Sequence, residues 1–286
     1  MWMWLVLLYG VFKGLREIVK KKALEKNSTM EVLFLYTFIA FLMVVPDVKN
    51  AMGLAPKYYF YIAIKSFVIF LAWIFSFKAI KKMPISLYGV LDLSRVLFAT
   101  LLGVVVLQEV LGMYQMIGLA LVSLGLLMLK YKPKALAKQL AEGGEQVEVK
   151  LIVMAFASCI LNAVSGLMDK LLMRDINSSQ LQFWYMLFLV LMYLIFILVT
   201  RTPIHVGSLL KNYWIWILSI LFVIADRALF IANGMEGSRI TVMTLIKQSG
   251  CIVTILAGRF LFHEKNTGYK FVCAAVIIVG IVMGVM

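Results

Sequence analysis

The sequence predicts an all-α membrane protein of ten transmembrane helices, arranged as two inverted five-helix repeats. Three observations carry that prediction. Of 286 residues, 63% are hydrophobic and only 15% are charged, against roughly 45–50% apolar residues in a soluble domain. Apolar stretches of about 20 residues, the length that crosses a ~30 Å hydrocarbon core, recur along the whole chain. A block beginning at Ile85 returns 155 residues later, at Ile240. Strands of alternating polarity are not seen, which argues against a membrane β-barrel.

Apolar runs place the helices at 2–19, 31–46, 58–77, 85–107, 113–130, 150–170, 181–200, 213–233, 240–261 and 268–286. The prolines Pro46, Pro56, Pro84, Pro133 and Pro203 all lie at edges of these runs, where a residue lacking an N–H is tolerated. The opening Met1-Trp2-Met3-Trp4 lacks a basic stretch and a small-residue cleavage site, so the first helix reads as retained rather than as a signal peptide. Most loops are short. The longest, 131–149, separates a first repeat (1–130) from a second (150–286), and its AlaLeuAlaLysGlnLeuAlaGlu stretch suits a short surface helix.

The repeat rests on more than hydropathy. A shift of 155 aligns Ser94 with Ser249, Gly103 with Gly258, Glu109 with Glu264, Tyr114 with Tyr269, Gly125 with Gly280 and Met128 with Met283, without a gap. A shift of 150 aligns Lys20 with Lys170 and Asn27-Ser28 with Asn177-Ser178. Five helices per copy is an odd number, so the second copy enters the membrane from the opposite side. Inverted repeats give two near-equivalent packings of one structure, as alternating access in a secondary transporter requires.

The net charge is +14. In a chain this apolar, the excess reads as loop lysine that sets topology and meets anionic membrane lipid, not as a nucleic-acid surface. Seventeen lysines and arginines fall in or beside the odd-numbered loops and five beside the even-numbered ones. The odd loops are therefore expected in the cytoplasm, with both termini outside, in a multi-pass protein of the cell (inner) membrane. No phosphate-binding glycine loop is present and no nucleophile–histidine–acid set, so an enzyme is not expected. Cys159, Cys251 and Cys273 lie in apolar runs, and His205 and His263 near helix ends. No metal or cofactor is expected from them.

The stretch PISLYGVLDLSRVLFATLLGVVVLQEVLGMYQMIGLALVSLGLLML resembles the signature half of the drug/metabolite transporter superfamily, in its EamA-like branch. The stretch RITVMTLIKQSGCIVTILAGRFLFHEKNTGYKFVCAAVIIVGIVMGV repeats its pattern: a small-residue helix, a helix-end glutamate and a glycine-bearing closing helix. The resemblance covers essentially the whole chain. It implies a transporter for a small-molecule substrate, with substrate-lining fourth and ninth helices. Amino-acid or drug export, or a flippase or accessory role for a lipid-linked precursor, is the alternative. In the triose-phosphate branch, lysine and arginine on these helices hold the phosphate. Lys247 sits at a matching place, but Gln248 replaces the arginine and Asp92 the other lysine, which argues against triose phosphate itself.

The candidate site is read from charge inside helices. Lys13, Arg16, Lys65, Arg95, Arg227 and Lys247 face Glu17, Asp92, Asp169 and Asp226, six cations against four acids. Each costs about 2.5–3.5 kcal/mol at a bilayer centre on insertion scales, so each must meet protein, water or an opposite charge. Asp92 and Lys247 are equivalent under the 155 shift, each about 10 Å into its helix, which places them near the pseudo-two-fold axis to pair directly or through substrate, with Lys247 read first as a cavity residue. The substrate-binding candidates are Lys247, Arg95, Asp92, Gln248, Arg227 and Arg16. Asp92, Asp226 and Glu17 are candidates for coupling to a proton or counter-substrate. Lys13, Arg16, Glu17 and Lys20 share one helical face, as a cavity wall or as a fraying end with snorkelling lysines. Glu109 and Glu264 read as structural helix-end residues. The aromatic stripes read as lipid-facing or core. The cavity is expected among the first, third, fourth, sixth, eighth and ninth helices, and the excess of cations favours an organic anion.

Overall fold

The computed structural model describes residues 1–130, 148–264 and 267–285. Among them the chain is helical and has no strand. The first span is α1 (Trp2–Leu24). The second is α2 (Thr29–Val44), extended by a 3₁₀ turn and the single turn α3 (Val48–Ala51). The third is α4 (Pro56–Lys82). The fourth is broken into α5 (Ile85–Asp92) and α6 (Arg95–Leu107), and the fifth is α7 (Met113–Lys130). The second repeat follows as α8 (Val149–Leu172), α9 (Ser178–Thr200), a surface turn α10 (Val206–Leu210), α11 (Tyr213–Gly234), the broken pair α12 (Ile240–Lys247) and α13 (Gly250–Phe260), and α14 (Thr267–Val285). Among the described residues, seven spans are long and apolar enough to cross a bilayer on those grounds alone. The first span carries Lys13, Arg16 and Glu17 among its apolar residues, and the fifth and tenth are shorter apolar helices. The connector 131–149 lies almost wholly outside the described residues, and with it the short surface helix expected there.

The inversion is visible in which helices pack together. The close pairs are α1 on α11 and α8 on α4, α2 on α9, α5 on α13, α6 on α12, and α7 on α14. Exchanging the two repeats maps every pair onto itself or onto another in the set. Small residues set the closest approaches. A Cβ on Gly14 would lie 2.6 Å from the Gly250 carbonyl oxygen, and one on Gly280 would lie 2.6 Å from that of Gly118.

Local signals repeat as well. The second span begins on a capping box: the Glu31 N–H donates to Ser28 Oγ and the Ser28 N–H donates to Glu31 Oε2. The seventh span begins on the same device, made by Asn177 and Gln180. Gln108 and His263, equivalent under the 155 shift, both adopt left-handed backbone, with φ of 54° and 49°. That conformation costs a non-glycine residue about 1–2 kcal/mol. It turns the next residue back: the Glu109 N–H donates to the Gly103 carbonyl and the Glu264 N–H to that of Gly258.

The two glutamates are then aimed across the repeat boundary. Glu109 accepts from the Ile240 N–H (2.7 Å), the Thr241 N–H (3.1 Å) and the Thr241 hydroxyl (2.5 Å). Glu264 accepts from the Ile85 N–H (2.5 Å), the Ser86 N–H (3.2 Å) and the Ser86 hydroxyl. Each repeat supplies the carboxylate that satisfies the orphan N–H groups at the start of the other repeat's broken span. On the second of these latches Lys21 and Lys270 add ion pairs at 3.5 and 3.7 Å.

Two expectations need correction. The first helix runs five residues beyond 19, so Lys20, assigned to a loop by its charge, is buried and faces protein. The fourth and ninth spans are not continuous helices. Leu93-Ser94 and Gln248-Ser249 interrupt them, although neither break contains glycine or proline.

Candidate functional site

The two breaks are copies of one another. Bonds of i to i+3 type run from the Leu93 N–H to Val90, Ser94 to Leu91 and Val96 to Leu93. At 155 residues' remove they run from Gln248 to Leu245, Ser249 to Ile246 and Cys251 to Gln248. A 3₁₀ interruption inside a span frees backbone from the regular ladder and is found at hinges and binding sites. Asp92 and Lys247 are the last residues of the two leading half-helices, so each break carries a charge.

A central cavity lies beside these breaks. It is walled by Tyr9, Lys13, Arg16, Glu17 and Lys20 of α1, by Lys65, Trp73 and Phe77 of α4, and by Tyr88 and Arg95 of the fourth span. Asn162 and Asp169 of α8, Phe222 and Asp226 of α11, and Thr244 and Lys247 of α12 close the other side. The six helices expected to line it do so. The second and seventh spans join them with one tyrosine each, Tyr36 and Tyr185. The face of Lys13, Arg16, Glu17 and Lys20 is this cavity's wall, not a fraying end.

Charges around the cavity are organised into short contacts. Arg16 Nη1 lies 2.9 Å from Asp226 Oδ1, and the Tyr185 hydroxyl donates to Asp226 Oδ2 at 3.0 Å. Lys20 donates to Glu17 at 2.7 and 2.8 Å. Lys65 Nζ lies 3.0 Å from Asp169 Oδ1 and 3.4 Å from the centre of the Tyr185 ring. Asp92 takes two cations: Lys13, in direct ion-pair contact, and Arg95 at 2.6 Å. Lys13 also donates to Gln248 Oε1 at 3.0 Å.

Lys247 is different. Its side chain is buried at 8% exposure and its Nζ lies 5.7 Å from the centre of the Tyr9 ring. Among the described residues it makes no ion pair. Of the two ways these charges were placed to pair, the direct one does not form: α1 packs against both leading half-helices. Gly10 and Gly14 press that helix onto the ninth-span break, and Lys13 takes the carboxylate. A cation from outside the aligned block was invisible to a symmetry argument confined to that block.

The candidate residues therefore separate. Lys247, Arg95, Arg16, Asp226 and Glu17 line the cavity. Asp92 and Gln248 stand one layer back, around a small space between α1, α5 and α13. Arg227 is a correction. One residue turns a helix by 100°, and Arg227 points away from the cavity to Ser179 Oγ and Asp47 Oδ2, both at 2.6 Å. Lys20 takes its place, so the interior balance stays at six cations against four acids. The aromatic residues read as core are buried, and seven of them, Tyr9, Tyr36, Trp73, Phe77, Tyr88, Tyr185 and Phe222, also face the cavity. Cys159, Cys251 and Cys273 are buried.

A membrane-embedded inverted repeat enclosing a polar cavity at paired helix breaks is the architecture of a transporter. The model of the EamA-like transporter family matches residues 1–131 and 149–286. The chain belongs to that family, within the drug/metabolite transporter superfamily, and is an integral multi-pass membrane protein. The comparison with curated proteins gives no match. Among solved structures, 27 chains match. One of them, described only as "Crystal structure of protein", superposes with a TM-score of 0.67 at 14% identity, covering 97% of this chain and 98% of that one. Likeness at that identity speaks for the fold alone.

Proposed function

We propose that this chain is a secondary transporter that carries a small organic anion by alternating access, binding it in the central cavity. Lys247 carries the reading. It is a buried cation at a helix break, on the cavity wall, with no carboxylate of its own among the described residues. Burying an uncompensated charge is expensive, and an anionic ligand is the direct compensation, with Arg95 as a second charge-assisted donor on the same cavity. The aromatic lining favours an anion with an apolar or ring-bearing body. The test is a thermal-shift screen of purified protein against anions, zwitterions and cations of similar size. Stabilisation by organic anions is expected. Stabilisation by cations alone would overturn the reading.

The orientation we infer places the odd-numbered loops in the cytoplasm and both termini outside, on the strength of the lysine and arginine asymmetry. A cysteine introduced into 131–147 is expected to react with an impermeant maleimide only after the cytoplasmic side is exposed. Labelling in intact cells would reverse the assignment.

A further inference from the structure

A second recess lies away from the cavity, between the end of α1 and the start of α11. Lys22, Glu25, Lys26 and Asn27 form one side, and Lys211, Asn212, Tyr213 and Trp214 the other. Its depth is fixed by the chain: Tyr213 is the first residue of a membrane span and Lys22 lies in the last turn of another. That is headgroup level, where tyrosine and tryptophan collect. The Tyr213 and Trp214 rings stand 4.7 Å apart.

The floor is built and polar. Asn27 is buried, and its side-chain oxygen accepts from Asn212 Nδ2 at 2.8 Å while its carbonyl accepts from Lys81 at 2.7 Å. Asn212 also donates to the Ala23 carbonyl, which ties α11 to α1. The rim is cationic. Lys22 is engaged, 2.9 Å from Glu25 and 4.9 Å from the Phe262 ring centre. Lys26 and Lys211 are exposed and make no ion pair among the described residues. Below the recess, α11 presents exposed Trp216, Ile217, Ile220 and Ile224 at helical spacing, an apolar lane running into the bilayer.

A cationic rim over a polar floor suits a phosphodiester. The apolar lane continuing from it suits acyl chains and has no use for a soluble phosphate. We propose that this recess binds an anionic phospholipid, its phosphate between Lys26 and Lys211 and its chains along the α11 lane. Such a lipid would brace α1 against α11, the helices that carry Arg16 and Asp226 on the cavity wall. The site stands whatever substrate that cavity carries.

The experiment is native mass spectrometry of the purified full-length protein titrated with phosphatidylglycerol or phosphatidylcholine. Each surface lysine contributes about fivefold to attraction of an anionic lipid, so K26A/K211A is expected to lose about thirtyfold in phosphatidylglycerol affinity. The pair K49A/K57A, in α3 and the first turn of α4 at the opposite membrane face, is expected to change nothing. Phosphatidylcholine is expected to bind far more weakly. Equal binding of the two lipids, or unchanged phosphatidylglycerol binding by K26A/K211A, would overturn the proposal. Competition by soluble glycerol phosphate as effective as by the lipid would overturn it too.

Discussion

Asp169→Ala is expected to destabilise the protein by about 3–5 kcal/mol, the usual cost of removing one partner of a buried ion pair. Lys65 has 2% of its side chain exposed, and its ammonium is enclosed by the Tyr185 ring at 3.4 Å and the Phe230 ring at 5.0 Å. Two aromatic faces compensate only part of a buried charge. Without the carboxylate 3.0 Å away, the site holds a buried cation with no opposite charge in contact. Thermal unfolding in detergent measures the loss. The double variant Lys65→Met/Asp169→Leu is expected to recover most of it, because an apolar pair of similar volume replaces a buried ion pair at little or no cost. An unchanged melting temperature in Asp169→Ala would show that the pair is not a structural element.

Lys247→Ala is expected to do the opposite. No carboxylate among the described residues has Lys247 as its ion-pair partner, and Asp169, the nearest influence on it, keeps Lys65, so its removal leaves no orphaned acid and relieves a buried cation. Stability should hold or rise. Affinity for an anionic substrate should fall steeply: truncating one partner of a buried, hydrogen-bonded charge pair costs about 2–5 kcal/mol, or roughly 30- to 5,000-fold. Lys247→Arg keeps the charge and should retain most of the binding. Equilibrium binding of the best anion from the thermal-shift screen reads the effect, alongside the melting temperature without ligand. Undiminished anion binding by Lys247→Ala would remove this residue from the site. The contrast between the two variants separates a charge that holds the fold from one held ready for a ligand.

Much of this architecture was legible in the sequence because its signals are periodic. Apolar runs marked the spans, and coincident Gly103/Gly258 and Glu109/Glu264 marked the inverted repeat. What stayed hidden was tertiary. The breaks at Leu93-Ser94 and Gln248-Ser249 carry no helix breaker. The coincidence of Ser94 with Ser249 was their only trace, and a serine does not by itself end a helix. The first helix looked finished at residue 19 because Lys20, Lys21 and Lys22 follow. Glu17 takes Lys20 and the Met83 carbonyl takes Lys21, so charged residues continue the helix instead of ending it. Of the candidate site, spacing put Lys13, Arg16, Glu17 and Lys20 on one face of α1 but left a cavity wall and a fraying end both open. The assignment of Asp92 to Lys13 was not readable, since it depends on how α1 packs against the two broken spans.

The exchanged glutamates impose an order in time. Ile85 and its capping carboxylate on Glu264 are 179 residues apart. At 5–20 residues per second, a ribosome takes roughly 10–35 s to make that interval. For that period the fourth span sits in the bilayer with its leading amides lacking their protein partner. The fit between the halves is completed only when the ninth span arrives. Synthesis of the first five helices is therefore an unfinished state, which lasts until the latch can close.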